Sequence, residues 1–143
     1  MSFLKHMMER EPPEPQNPIG TVVIGNIEPD MHDTAKEQVR KALKRAGFKT
    51  IDAGKSVPPQ VFVEKAKEAN ADILAISVNT VPAKNNVAKL DEALKAGGLK
   101  EKLIIIMGGA AVKKEDAEAI GAIFGRNKEE GVAIAKKAIA EKK

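Results

Sequence analysis

The chain has 143 residues, 43% of them hydrophobic, and its 24 basic and 20 acidic side chains give a net charge of +4. This is enough for one domain with its own core, and too hydrophobic for a disordered chain. The absence of cysteine excludes disulfides, thiolate metal sites and cysteine nucleophiles, and the 3% of aromatic residues argues against a stacking platform for single-stranded nucleic acid.

The beginning of the chain differs in composition from the rest. Residues 1–10 have apolar side chains spaced for one or two helical turns, and residues 11–18, EPPEPQNP, hold four of the eight prolines. Because proline lacks an amide donor and blocks helix formation, we predict a flexible, proline-rich arm over residues 1–19. An α/β domain is predicted over residues 20–143. His6 lies in the arm and is assigned no role.

From Gly20 onward, apolar runs alternate regularly with helix signals. Strands are predicted over residues 22–27, 48–52, 72–78, 103–107 and 122–124, and helices over residues 33–46, 58–69, 81–96, 115–120 and 128–142. Strands with so few polar residues are typical of a parallel sheet covered on both faces. Five strands alternating with five helices predict a doubly wound, flavodoxin- or Rossmann-like parallel sheet with strand order 2-1-3-4-5.

In such a sheet, ligands bind beyond the carboxyl ends of strands 1 and 3, where the strand order reverses. Gly108 and Gly109 follow a buried strand, and they either let the backbone approach a ligand or form a tight turn. Ser77, Asn79 and Thr80 either contact a ligand or cap the next helix. Helix capping is also the alternative for two polar residues after strand 1, Asp33 and Thr34.

Asp30 and His32 are the most informative residues in these loops. They are two positions apart, so their side chains face the same side of an extended segment. An aspartate that accepts one imidazole N–H fixes the tautomer and leaves the other nitrogen free to bind a metal. Since no second histidine lies in the folded part, the pair suits a metal already chelated by a macrocycle. The alternative is a surface histidine beside a capping aspartate.

At this point the sequence resembles a known family. Residues 30–35, DMHDTA, followed by Ser77 and Asn79 and then by Gly108-Gly109, resemble the three-part signature of cobalamin-binding domains. That signature is an Asp-x-His-x-x-Gly motif, a Ser-x-Leu motif and a Gly-Gly pair at similar spacings. The resemblance runs from about Gly20 to the C-terminus. It is closest to the corrinoid proteins of methyltransferase systems and to the cobalamin domain of methionine synthase.

The resemblance implies a cofactor and a role for each motif. His32 would be the lower axial ligand of the cobalt in cobalamin, and Asp30 would hydrogen-bond the imidazole. The displaced nucleotide tail of the cofactor would enter a slot lined by Ala35, Ser77 and the glycine pair. The cofactor-binding residues implied in this way are Asp30, His32, Asp33, Ala35, Ser77, Asn79, Thr80, Gly108 and Gly109, and the metal ligand is His32. The protein would be a methyl carrier rather than a catalyst.

Four positions depart from the family pattern. Ala35 stands in place of the motif glycine, and Pro29 where a glycine commonly precedes the motif aspartate. Asn79 replaces the leucine of the second motif, and Ala83 lies where methionine synthase-like domains have a serine. These departures leave open a degenerate domain that binds no cofactor and acts as an interaction or small-ligand module. A second alternative, suggested by the short arm, is the small cobalamin subunit of a mutase.

The partners follow from the same reasoning. The resemblance implies methyltransferase subunits as partners, and a homo-oligomer is left open. Lysines spread along predicted helices indicate a solvated surface, so no nucleic-acid partner is expected. No apolar run reaches membrane-spanning length, and the N-terminus lacks the apolar core of a signal peptide. Together with the lack of cysteine, this favours a cytoplasmic protein without a membrane partner.

Overall fold

The computed structural model describes residues 10–142, which form a five-stranded, all-parallel sheet of order β2-β1-β3-β4-β5. The strands are β1 Thr21–Ile27, β2 Lys49–Val57, β3 Ile73–Ser77, β4 Ile104–Gly108 and β5 Ile123–Phe124. The helices are α1 Asp33–Arg45, α2 Pro59–Ala69, α3 Val81–Lys84, α4 Val87–Ala96, α5 Lys114–Glu118 and α6 Lys128–Lys142. The predicted doubly wound topology is confirmed. The helical turns predicted near the N-terminus lie, except for Arg10, outside the described residues.

Both faces of the sheet are covered by helices. Phe62 of α2 and Leu90 of α4 pack on one face, in a cluster that also contains Val23 of β1. Leu43 of α1 and Ile139 of α6 pack on the other face, in a cluster with other side chains of β1. Burial on both faces explains why the strands read as continuous apolar runs. The parallel arrangement brings the carboxyl ends of all the strands to one edge of the sheet.

The second strand is longer than the sequence predicts. The prediction ended β2 at Asp52 because the following residues interrupt the apolar pattern, but the strand continues to Val57. It does so through two register irregularities opposite β1, with Gly54 at a φ of +105°. Val57 pairs with Ile27 and is buried. The pairing and burial of Val57 therefore keep residues 53–57 in the strand, although their composition alone indicates a loop.

The single helix predicted over residues 81–96 is wrong, because two helices, α3 and α4, occupy this range. The break falls at Asn85 and Asn86. The Asn86 side chain donates a hydrogen bond to the carbonyl oxygen of Glu28, with an Nδ2–O distance of 2.6 Å. Asparagine competes with helical backbone bonding in this way. This hydrogen bond therefore connects the helical segment after β3 to the loop after β1.

The described part of the arm contacts α1 through ion pairs. The Glu11 carboxylate lies 2.6 Å from both Arg40 Nη2 and Lys44 Nζ, and Pro12 is buried. Arg40 also binds Glu37 one helical turn away, with an Nε–Oε2 distance of 2.9 Å. This contact links the arm to the first helix of the domain. The predicted boundary at residue 19 stays a prediction.

The ion pairs on α1 predict how stability depends on pH. The hydrogen bond from Arg40, with help from Lys36, outweighs burial and lowers the pKa of Glu37 from 4.5 to about 2. A carboxylate whose pKa is lowered on folding contributes stability that is complete above its unfolded pKa and is lost as the pH falls through the folded value. Lowering the pH from about 5 to about 3 should reduce the free energy of unfolding of the wild type. In Glu37→Gln we expect this reduction to be smaller by about 1 kcal/mol.

Urea unfolding at the two pH values measures this difference. Glu101→Gln, at an exposed glutamate, is the matched control and should follow the wild type. An equal acid-induced loss in wild type and Glu37→Gln would show that the ion pair contributes nothing to stability.

Candidate cofactor site

The loop after β1 holds a buried carboxylate against an exposed histidine. Asp30 is fully buried, whereas the His32 side chain is 72% exposed. Asp30 Oδ1 accepts hydrogen bonds from the backbone N–H of His32 at 2.9 Å and from its ring Nδ1 at 3.0 Å. An ionised carboxylate only accepts, so the ring proton must be on Nδ1. The Nε2 lone pair is then free to act as a ligand.

The second carboxylate oxygen of Asp30 is also fully engaged. Oδ2 accepts from Asn26 Nδ2 at 3.2 Å, and from the backbone N and side-chain Nδ2 of Asn79, each at 2.9 Å. Burial by itself raises the pKa of Asp30, but the hydrogen bonds from His32, Asn26 and Asn79 outweigh it, so the pKa lies below its ordinary value. Asp30 is therefore an anion at neutral pH and a strong acceptor for the imidazole N–H.

Beside this pair, a groove of about 490 Å³ opens between α1, α6 and the carboxyl ends of the central strands. Four aliphatic residues of the strands line it, Ile24, Ala75, Ile76 and Ile106. Of the residues predicted to bind a cofactor, the groove is also lined by Ala35, Ser77, Asn79, Gly108 and Gly109. Asn79 hydrogen-bonds Asp30 as well, so it joins the histidine loop to the groove. The other four predicted residues are not among those that line the groove: Asp30, His32, Asp33 and Thr80.

The glycine pair is required by the packing of the chain itself. Gly109 has a φ of +122°, and a Cβ there would lie 2.2 Å from the carbonyl oxygen of Val78. A Cβ on Gly108 would lie 2.5 Å from the carbonyl oxygen of Gly125. Any larger residue would therefore move backbone, which favours the tight-turn interpretation of this motif. The same close approach forms part of the groove wall.

The capping alternatives have mixed outcomes. Thr80 is the N-cap of α3, where its hydroxyl accepts a hydrogen bond from Ala83 N at 3.3 Å. Asp33 is the first residue of α1, and no side-chain cap bond is formed there. The capping alternative for Asp33 and Thr34 is therefore wrong, because the helix begins at Asp33 with His32 as its N-cap. Asp30 caps no helix either, since its oxygens bind the histidine and two asparagines.

Sequence reasoning missed Asn26 as a site residue. This asparagine is fully buried near the end of β1, and its Nδ2 donates to Asp30 and to the carbonyl oxygen of His32, the latter at 3.1 Å. A polar side chain inside the apolar run VVIGNI was the available signal. Lys36 was missed too: it is buried, lines the groove and pairs with Asp52 at 2.8 Å.

Two features are absent from residues 10–142. These residues contain no group of three or more His, Cys, Asp or Glu side chains placed to hold a metal ion together. No helix in the same range is long and apolar enough to cross a membrane. The exposed imidazole of His32 and the groove lie at the edge where a doubly wound sheet binds ligands, and this defines the class as ligand-binding α/β domains.

Comparison with known proteins identifies the family within that class. Residues 20–135 match the B12 binding domain family, and the chain therefore belongs to it. The cofactor of this family is cobalamin. Trimethylamine corrinoid protein 1 of Methanosarcina acetivorans is 40% identical over 122 residues, which are 85% of this chain and 56% of that protein. The chain is thus a corrinoid-binding protein homologous to methylamine corrinoid proteins.

Solved structures agree with this assignment. A cobalamin-binding protein from Desulfitobacterium hafniense superposes with a TM-score of 0.80 at 32% identity, covering 83% of this chain and 58% of that one. The methanol:cobalamin methyltransferase complex from Methanosarcina barkeri gives a TM-score of 0.81 at 23% identity, over 86% of this chain and 47% of that one, and shares the fold. The chain spans about half the length of these proteins.

Proposed function

We propose that this chain is the cobalamin-carrying subunit of a methyl-transfer system, with His32 Nε2 as the lower axial ligand of cobalt. The observation that carries the proposal is the Asp30–His32 hydrogen bond of 3.0 Å, which directs one ring nitrogen inward and leaves the other free. A neutral imidazole with its second nitrogen held by a carboxylate is the arrangement that metal-bound histidines adopt in proteins.

The groove fits the part of the cofactor that a histidine ligand displaces. When His32 takes the lower position, the nucleotide tail of cobalamin needs a separate site. The groove of about 490 Å³ next to the Asp30–His32 pair offers aliphatic walls from the strands and a hydroxyl from Ser77. Its helical wall includes Ala35, where a small side chain leaves room. The residues present therefore fit the cofactor of the family.

Cobalamin supplies a cobalt centre that accepts and gives up a methyl group, so the chain's own residues have only to bind and orient it. The transfers themselves belong to partner methyltransferases. The relatives named as trimethylamine corrinoid proteins support a corrinoid-carrying role for this chain. Two apolar side chains are exposed at the same edge of the sheet as His32: Met31 in the loop after β1 and Val81 at the start of α3. They give that edge an apolar surface suited to a corrin ring or a partner.

Mixing the protein with hydroxocobalamin and passing it down a desalting column tests the proposal. We expect a red protein carrying one cobalamin per chain, measured by visible absorbance. Cobinamide, which lacks the nucleotide tail, is the control ligand and should be retained less well because it cannot fill the groove. A protein that emerges colourless would contradict the proposal and favour the cofactor-free interaction module.

That alternative has one observation of its own in its favour. The Asn79 amide is satisfied without any ligand, since it donates to Asp30 and to Ser77 Oγ and accepts from Ala110 N. A polar side chain that already has its hydrogen-bond partners needs no ligand to satisfy it. The desalting experiment separates the two functions.

A further inference from the structure

We infer that Asn79, assisted by Asn26, is a positioning residue that holds Asp30 so that the carboxylate presents one oxygen to His32. The inference rests on the proposed function, because it concerns the direction in which His32 offers its free nitrogen. It adds a residue that acts through Asp30 and need not touch the cofactor.

Two asparagine amides converge on the same pair of acceptors. Asn79 Nδ2 lies 2.9 Å from Asp30 Oδ2 and 3.4 Å from the carbonyl oxygen of His32. Asn26 Nδ2 lies 3.2 Å and 3.1 Å from the same two atoms. Asn26 comes from β1 and Asn79 from the loop after β3, so the turn between Asp30 and His32 is held from two neighbouring strands.

The orientation of the Asn79 amide is fixed by a bond on its other side. Asn79 Oδ1 accepts from the backbone N of Ala110 at 3.0 Å. A flipped amide would place its NH₂ group against that N–H and its oxygen against the Asp30 carboxylate, both of which repel. The NH₂ group must therefore face Asp30.

The two carboxylate oxygens of Asp30 therefore have different hydrogen-bond partners. Oδ2 receives three hydrogen bonds from Asn26 and Asn79, whereas Oδ1 receives both of its bonds from His32. A carboxylate held on one side cannot rotate away from the imidazole. Removing the amide of Asn79 would leave Oδ2 with the bonds from Asn26 and from the Asn79 backbone, so the carboxylate would be held less firmly. The ring of His32, which is 72% exposed, has little packing of its own to keep it in place.

Two variants of Asn79 separate this role from simple space filling. Asn79→Leu keeps a similar volume and the backbone N–H but has no amide. Asn79→Asp keeps the shape and the acceptor for Ala110 but replaces the donor to Asp30 with a carboxylate, which repels it. Asn85→Leu makes the same chemical change at an exposed asparagine and is the matched control. Circular dichroism verifies the fold of each variant.

The first readout needs no cofactor. Nitrogen-15 chemical shifts of the histidine rings at about pH 8.5 report which ring nitrogen carries the proton. In the wild type we expect His32 as the Nδ1–H tautomer, and in both Asn79 variants a mixture of tautomers, while His6 stays the same. An unchanged His32 tautomer in a folded Asn79 variant would overturn the inference.

The second readout is hydroxocobalamin affinity, which should fall about tenfold in both Asn79 variants and stay at the wild-type value in Asn85→Leu. If the wild type retains no cobalamin, the proposed function fails, and the tautomer measurement still decides the role of Asn79. If the wild type binds through His32 and the Asn79 variants bind equally well, the inference alone fails. If one variant does not fold, the other carries both readouts.

Discussion

Replacing His32 with alanine is expected to weaken hydroxocobalamin binding by about a hundredfold or more, because it removes the proposed cobalt ligand itself. The free energy of unfolding should change by no more than about 0.5 kcal/mol, since the side chain is mostly exposed. Asp30 keeps hydrogen bonds from Asn26, from Asn79 and from the backbone at position 32. Loss of affinity without loss of stability separates a ligand from a structural residue.

Titration of apoprotein with hydroxocobalamin, followed by visible absorbance, measures the affinity, and urea unfolding measures the stability. His6→Ala is the matched control, because it removes the other histidine of the chain and should bind like the wild type. Equal affinity of His32→Ala and the wild type would contradict a histidine-ligated cofactor.

The second large effect is expected at Ala35, which lines the groove from α1. Replacing it with leucine adds three carbon atoms where the nucleotide tail would lie, and we expect at least about a tenfold loss of hydroxocobalamin affinity, because overpacking costs about 1–3 kcal/mol. The position is exposed and helical, so the protein itself should stay folded. Ala35→Gly, which restores the family residue, should bind at least as well as the wild type.

Titration with cobinamide as a control ligand shows whether the effect of Ala35→Leu depends on the nucleotide tail of the cofactor. Because cobinamide has no nucleotide, its affinity should be the same for Ala35→Leu and the wild type. Thr34→Leu, at the preceding exposed residue that does not line the groove, is the matched variant and should bind hydroxocobalamin normally. Equal hydroxocobalamin affinity of Ala35→Leu and the wild type would show that the tail lies elsewhere.

The sheet could be predicted because its strands alternate with helices and carry apolar side chains on both faces. This pattern leaves few topologies, and the order β2-β1-β3-β4-β5 is the common one. The two errors have local causes. Val57 is held by its pairing with Ile27 across a stretch that contains Gly54, and Asn86 leaves the helical pattern to bind Glu28. Both contacts join residues that are far apart in sequence. The local spacing of apolar residues, from which the elements were predicted, carries no information about such contacts.

In the candidate site, too, local contacts could be predicted from the sequence and contacts between distant residues could not. The contact between Asp30 and His32 was predictable because two positions in an extended segment bring both side chains to one side. Asn79 was predicted as a site residue, but its bonds to Asp30 cross 49 positions and depend on the sheet order. Asn26 was missed because it lies inside a strand. The capping role of Thr80 follows from local sequence and was one of the two alternatives.

We propose above that the chain binds cobalamin with His32 as the lower ligand of cobalt. Electron paramagnetic resonance of the protein loaded with cob(II)alamin tests it most directly, when the histidines alone carry nitrogen-15. We predict that the nitrogen splitting of the cobalt signal changes from a triplet in unlabelled protein to a doublet in labelled protein. A triplet in both samples would show that the cofactor's own base remains on cobalt and would contradict ligation by His32.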